Sequence, residues 1–184
     1  MKQFFILLSL LLFGVQQGVA SSKQAQTNPK NDFISSNVEN GSTPINIDLV
    51  YEFLKADGYD PKFNTIEDVK YIIINDKDTS VLIFVENDYV TFHCGSPGIS
   101  ERIKSKLKKK ELSSKDIADI YTTCVGISRL VKCAKITFNP DEDVVSANIE
   151  TFIPTMELFK HYCYQYMAIV RIAIGTFEEY TLGK

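Results

Sequence analysis

VKYIIINDKDTSVLIFVENDYVTFHC, residues 69–94, decides the fold. It holds three runs rich in β-branched and aromatic residues, Val69–Ile74, Ser80–Val85 and Tyr89–Cys94. Such runs favour strands. The gaps between them, Asn75–Asp78 and Glu86–Asp88, are polar and too short for a crossover helix. Hairpins are the only short connection, so the three strands are expected to be antiparallel.

Upstream, Thr43-Pro44 offers a hydroxyl cap followed by proline at a first helical position, which predicts a helix over 44–57. Ile45, Leu49, Phe53 and Ala56 share one face, and Gly58 with Pro61 marks the stop. Downstream, Ile99, Ile103 and Leu107 recur at every fourth position and suggest a short helix in the lysine-rich stretch 95–112. Ser113-x-x-Asp116 resembles a capping box for a helix over 114–131. Lys135–Phe138 and Val144–Ile153 read as two more strands around the acidic turn Asn139–Asp143, and Pro154 ends the second. Met156–Tyr180 is then a long helix, too interrupted by Lys160, His161, Gln165 and Arg171 to span a membrane. The expected class is α+β: a five-stranded antiparallel sheet with three main helices, in the order αβββαββα.

The chain's start carries an address. Lys2, the apolar run Phe4–Val15 and Gly18-Val19-Ala20 follow the order of a secretory signal cleaved near Ala20. The apolar run spans about 18 Å as a helix, short of a ~30 Å hydrocarbon core. The mature chain is therefore expected to be exported, periplasmic or secreted, without a transmembrane segment. Residues 21–43 are rich in Ser, Asn, Gln and Lys and read as a flexible linker. Asn40-Gly41-Ser42 fits a glycosylation acceptor. Residues 44–184 are the expected single domain. A formal charge of −3 excludes a protein that holds nucleic acid by summed positive charge.

Val50–Pro61 (VYEFLKADGYDP), the runs VKYIII and SVLIFV, and Ser128–Ile153 (SRLVKCAKITFNPDEDVVSANIETFI) together resemble the YbjN family, also labelled bacterial sensory transduction regulators. The carrying features are the Gly58-Tyr59 helix end, Lys132 and Lys135 at a helix-to-strand passage, the acidic turn Asp141–Asp143, the strand VVSANIE and a closing aromatic helix. Ser128 and Arg129 stand where the family usually has an Asn-containing segment. The family is similar in fold to type III secretion chaperones. The resemblance implies a binding or regulatory module with no catalytic residues to carry over.

Chemistry-bearing residues are few. Two histidines and four cysteines are present, and no tryptophan. An even cysteine count in an exported chain allows disulfides, with Cys124–Cys163 and Cys94–Cys133 as the pairs to test. Cys124 and Cys163 also fall on apolar helix faces, where a free thiol behaves as a small hydrophobe. His93-Cys94 and His161-x-Cys163 supply zinc-type donors at the wrong spacing. On a helix the second pair points about 200° apart. Asp141–Asp143 lacks the alternation and glycine of a calcium loop. No phosphate loop, G-x-S-x-G or H-E-x-x-H occurs, so no cofactor is expected.

Two surfaces stand out. Arg102, Lys104, Lys106, Lys108, Lys109 and Lys110 form a basic stretch suited to an anionic partner, or to a merely solvated face. Tyr162, Tyr164 and Ile172 widen the apolar face of the last helix and suggest a subunit or partner interface. The sequence thus points to a non-enzymatic exported module that binds a protein or peptide and self-associates as a homodimer. The alternative is a Cys/His-dependent enzyme or metal-binding protein of the cell envelope.

Overall fold

The computed structural model describes residues 42–76 and 79–183. The signal, the linker up to residue 41 and the first two residues of Asn40-Gly41-Ser42 lie outside them. Helix α1 spans Ile47–Ala56 and is capped by Asn46, whose Oδ1 accepts the Leu49 N–H at 2.9 Å. The expected Thr43-Pro44 start is therefore three residues early. That segment runs extended instead: Ile45 N–H donates to the Pro154 carbonyl at 3.1 Å, and Met156 N–H donates to that of Thr43 at 2.9 Å. Gly58 ends the helix at φ +89°, as its position predicts.

Four strands follow where three were expected: β1 (Pro61–Ile66), β2 (Val69–Asp76), β3 (Thr79–Glu86) and β4 (Tyr89–Pro97). Strand β1 has no apolar alternation because it is an edge strand, exposed beyond Pro61. Glu67 and Asp68 both take positive φ, +48° and +68°, and close a primed hairpin turn without the usual Asn-Gly. Helix α2 (Ile99–Leu107) forms as the fourfold spacing suggests, and α3 (Ser114–Leu130) opens on a complete Ser113–Asp116 capping box. Strands β5 (Lys135–Asn139) and β6 (Val144–Phe152) and helix α4 (Met156–Leu182) complete the chain. The class is α+β as expected. Among the described residues the count is corrected to six strands and four helices, in the order αββββααββα.

The sheet order is β1-β2-β3-β4-β6-β5, antiparallel throughout. Strand register puts Ile72, Ile83, Phe92 and Ile149 directly opposite one another across four strands, and all are buried. Residues opposite each other share a face. This row is the floor of the core. Phe92 stacks on Phe159 of α4 at 6.1 Å, Tyr51 of α1 stacks on Phe63 at 4.3 Å, and Tyr121 of α3 meets Phe138 edge-on at 5.5 Å. Helix α2 adds buried Ile99 and Ile103. All four helices thus cover the same face.

The other face carries Tyr71 and Ile73 of β2, Leu82 and Phe84 of β3, Thr91 and His93 of β4, and Asn148 and Glu150 of β6. None of these is fully buried. The two faces predict different mutational costs. Phe92→Ala opens a cavity under Phe159 and should lower stability by roughly 3–5 kcal/mol. Phe84→Ala loses mainly its cross-strand stack on Tyr71 and should cost about 1 kcal/mol. Urea unfolding of the two variants measures the difference.

Candidate functional site

Four of the six basic side chains, Arg102, Lys104, Lys106 and Lys109, make contacts within the fold. Arg102 Nη2 donates to Glu178 Oε1 at 2.5 Å, and the same oxygen accepts from buried Ser96 Oγ at 2.7 Å. Lys104 pairs with Glu101, which raises its pKa, and Lys106 Nζ donates to the Thr181 carbonyl at 2.9 Å. Lys109 pairs with Asp116 at 2.8 Å; that bond and those from Ser113 hold the carboxyl well below the usual carboxylate range. Lys108 and Lys110 are exposed on the loop that follows. These contacts tie α2 to α4 and to the start of α3. Three of the six basic side chains, Arg102, Lys104 and Lys109, are paired with a carboxylate.

The aromatic face of α4 is partly engaged as well. The Tyr164 hydroxyl donates to Asp57 Oδ2 at the end of α1, and its ring stacks on Tyr59 at 6.0 Å. Burial, and then the bond to Asp57, push its pKa up. Tyr162 leans on Tyr166 at 5.9 Å, with His161 edge-on at 4.5 Å. Tyr162 and Ile172 are half-buried. So the three side chains proposed as one interface divide: Tyr164 faces inward onto α1, and the other two remain at the surface.

The thiols and imidazoles do not converge. Successive residues of a strand point to opposite faces, so His93 is on the open face and Cys94 in the core. His93 Nδ1 lies 2.6 Å from Asn148 Oδ1. All four cysteines are free; Cys94, Cys124 and Cys163 are buried and Cys133 is exposed. Among the described residues, no three His, Cys, Asp or Glu side chains gather as a metal site. Burial pushes the Cys94 and Cys124 thiols up to about 11 and Cys163 to about 12, away from thiolate chemistry at neutral pH.

Two features escape a linear reading. Asp143, in the acidic turn, accepts from the first N–H groups of α2: Gly98 to its carbonyl at 2.8 Å and Ser100 to Oδ1 at 2.8 Å. The second is the open face itself. Strand β6 alternates, with Val145, Ala147 and Ile149 inward and Ser146, Asn148 and Glu150 outward. Strands β2 and β3 do not alternate: Ile72, Ile74, Val81 and Ile83 face the core, yet Tyr71, Ile73, Leu82 and Phe84 face away from it. Tyr71 and Phe84 stack at 5.0 Å.

No family model and no curated protein matches the chain. Solved structures do. YbjN from E. coli, described as a putative transcription regulator, superposes with a TM-score of 0.52 at 11% identity, covering 76% of this chain and 94% of that one. An uncharacterized protein from Methanothermobacter thermautotrophicus gives 0.51 at 12% identity, covering 73% and 97%. The fold is YbjN-like. At these identities the likeness concerns the fold alone. Among the described residues, no helix of this YbjN-like unit is long and apolar enough to cross a membrane.

The thiol environments give a direct check. In the native protein only Cys133 should react promptly with a thiol reagent, whereas the unfolded chain should titrate all four. A buried thiol ionises at an ordinary 9.0 once unfolded but near 11 or 12 in the fold. Its contribution to stability is complete below pH 9 and is lost as pH climbs toward those values. Urea midpoints should therefore fall as pH rises from about 9 to about 11, and Cys163→Ala should flatten the decline.

Proposed function

We propose that this protein is an exported, non-catalytic binding module that receives a protein or peptide partner on the open face of its sheet. One observation carries the proposal: β2 and β3 are apolar on both faces, while every helix packs on one. Strands apolar on both faces are characteristic of sheets covered on both sides. An antiparallel sheet that meets only water on one side has polar residues there, as β6 does from Ser146 to Glu150. Tyr71, Ile73, Leu82 and Phe84 fit a surface that a partner completes. The export signal and the sparse catalytic chemistry are consistent with this role. The Cys/His alternative would require His93 and Cys94 to act from opposite sides of the sheet.

A partner could add a strand at an edge or lie across the face. The edges are blunted. Pro61 has no N–H, and the Thr65 N–H of β1 is taken by Asn64 Oδ1 at 2.8 Å. On β5, the Ile136 N–H donates to Ser128 Oγ of α3 at 2.8 Å. The face is left as the docking surface.

The test is affinity capture from the exporting cell's envelope with three forms of the full chain. The wild type and a Tyr162→Ser/Ile172→Ser variant should retain the same partner, and Tyr71→Ser/Phe84→Ser should lose it while keeping its circular dichroism spectrum. Retention by the sheet variant with loss by the helix variant would move the site to α4 and overturn the proposal.

A further inference from the structure

We infer that the open face selects a basic amphipathic segment: one whose apolar side chains are bordered by Lys or Arg. The inference rests on the face reading above and specifies the chemistry of its partner. At the turn end of the sheet, Ile66 lies opposite Val69 and Tyr89 lies opposite Phe152. Their exposures are 57, 50, 50 and 50%, high for large hydrophobic side chains. The Tyr89 and Phe152 rings meet edge-on at 5.7 Å. One row further along, the Tyr71–Phe84 stack continues the apolar surface. An apolar stripe therefore crosses from β1 to β6 on the uncovered side, interrupted by Glu86, which stands opposite Tyr89 in the same row.

At the turn end the stripe is bordered by acidic charge. Glu67 and Asp68 form the β1–β2 turn, Glu86 and Asp88 flank the β3–β4 turn, and Glu150 stands opposite Thr91 on the face. All five carboxylates are exposed. The ion pairs among the described residues involve none of them. Lys62 and Lys135 stand on the same face two rows farther from the turn end, opposite Ile73 and Asn148. Lys70 reaches Asp48 of α1 at 2.7 Å on the helix-covered side, and Lys62 pairs with Asp60 at the far end of β1. Lys135 sits on the outermost strand. Like charges at the rim of an apolar surface repel an acidic partner and steer a basic one. Half-exposed aromatics at the centre supply the area that a docked segment buries.

The test uses the purified full chain and a fluorescent amphipathic peptide of about 16 residues in which Leu and Phe alternate with Lys, the length of a docking segment. An otherwise identical peptide with Glu for Lys is the comparison. The Lys peptide should bind at least about tenfold tighter at ~50 mM salt, with the gap narrowing as salt rises. Glu67→Gln/Glu86→Gln/Glu150→Gln should lose about tenfold without a change in melting temperature, and Asp141→Asn/Glu142→Gln at the opposite end should not. Tyr89→Ser/Phe152→Ser should abolish binding. No binding of the Lys peptide, equal binding of both peptides, or equal losses from the two charge variants would overturn the inference. The partner captured through Tyr71 and Phe84 would still stand in that case. Sedimentation showing a dimer that Tyr89→Ser/Phe152→Ser dissolves would assign the face to a second copy and overturn it as well.

Discussion

The row Ile72–Ile83–Phe92–Ile149, pressed under Phe159, is the constraint on which the rest depends. Because strand side chains alternate, seating these four inward commits their neighbours to the opposite face. A shift of one residue in register would expose Phe92 and bury His93 against the helices. The helices gather on the side of the inward row, with α1 and α4 against the sheet, α3 against β5 and α4, and α2 against α4, so stability comes from one side of the sheet. The other side is freed from that duty, and its composition reflects something else. On β6 it is polar from Ser146 to Glu150, as expected for a surface in water; on β2 and β3 it is apolar. That asymmetry within one sheet is the physical basis for reading the face as a docking surface.

The polar contacts around the core serve position. Glu178 accepts from both Ser96 and Arg102, which links α4 to β4 and α2. Asp143 caps the start of α2 from the β5–β6 turn, and Lys106 closes its end on the Thr181 carbonyl. A helix of nine residues is marginal alone, and these contacts, with Ile99 and Ile103, hold it in place. Part of the basic stretch, Arg102 and Lys106, thus also clasps α2 to α4. Ser128 has a comparable role: its hydroxyl occupies an outward N–H of β5 and keeps that edge from pairing with another chain.

Much of the fold was legible from local pattern. The three apolar runs, the capping box at Ser113, the stop at Gly58 and the long last helix all rest on spacing that a few residues define. Strand β1 was not, because an exposed edge strand such as PKFNTI needs no apolar alternation, and its turn uses Glu67-Asp68 in a role that usually goes to Asn-Gly. The cap on α1 was misplaced because Asn46 competes with Thr43 and only the tie between residues 43–45 and 154–156 decides. The candidate site was less legible. Glu178 and Ser96 are 82 residues apart, and no spacing rule joins them. The open face did leave a trace in the sequence: VKYIII and SVLIFV are apolar at consecutive positions, a sign of two-sided burial. Which of their two sides lacks a helix depends on topology.

Hydroxyl-radical footprinting of the intact, purified chain tests this asymmetry most directly. At dilute concentration Tyr71, Phe84, Tyr89 and Phe152 should be oxidised readily, while Phe92, Phe159 and Phe177 stay protected. Equal protection of Tyr71, Phe84 and Phe92 would mean that the second face is covered, and would contradict the account.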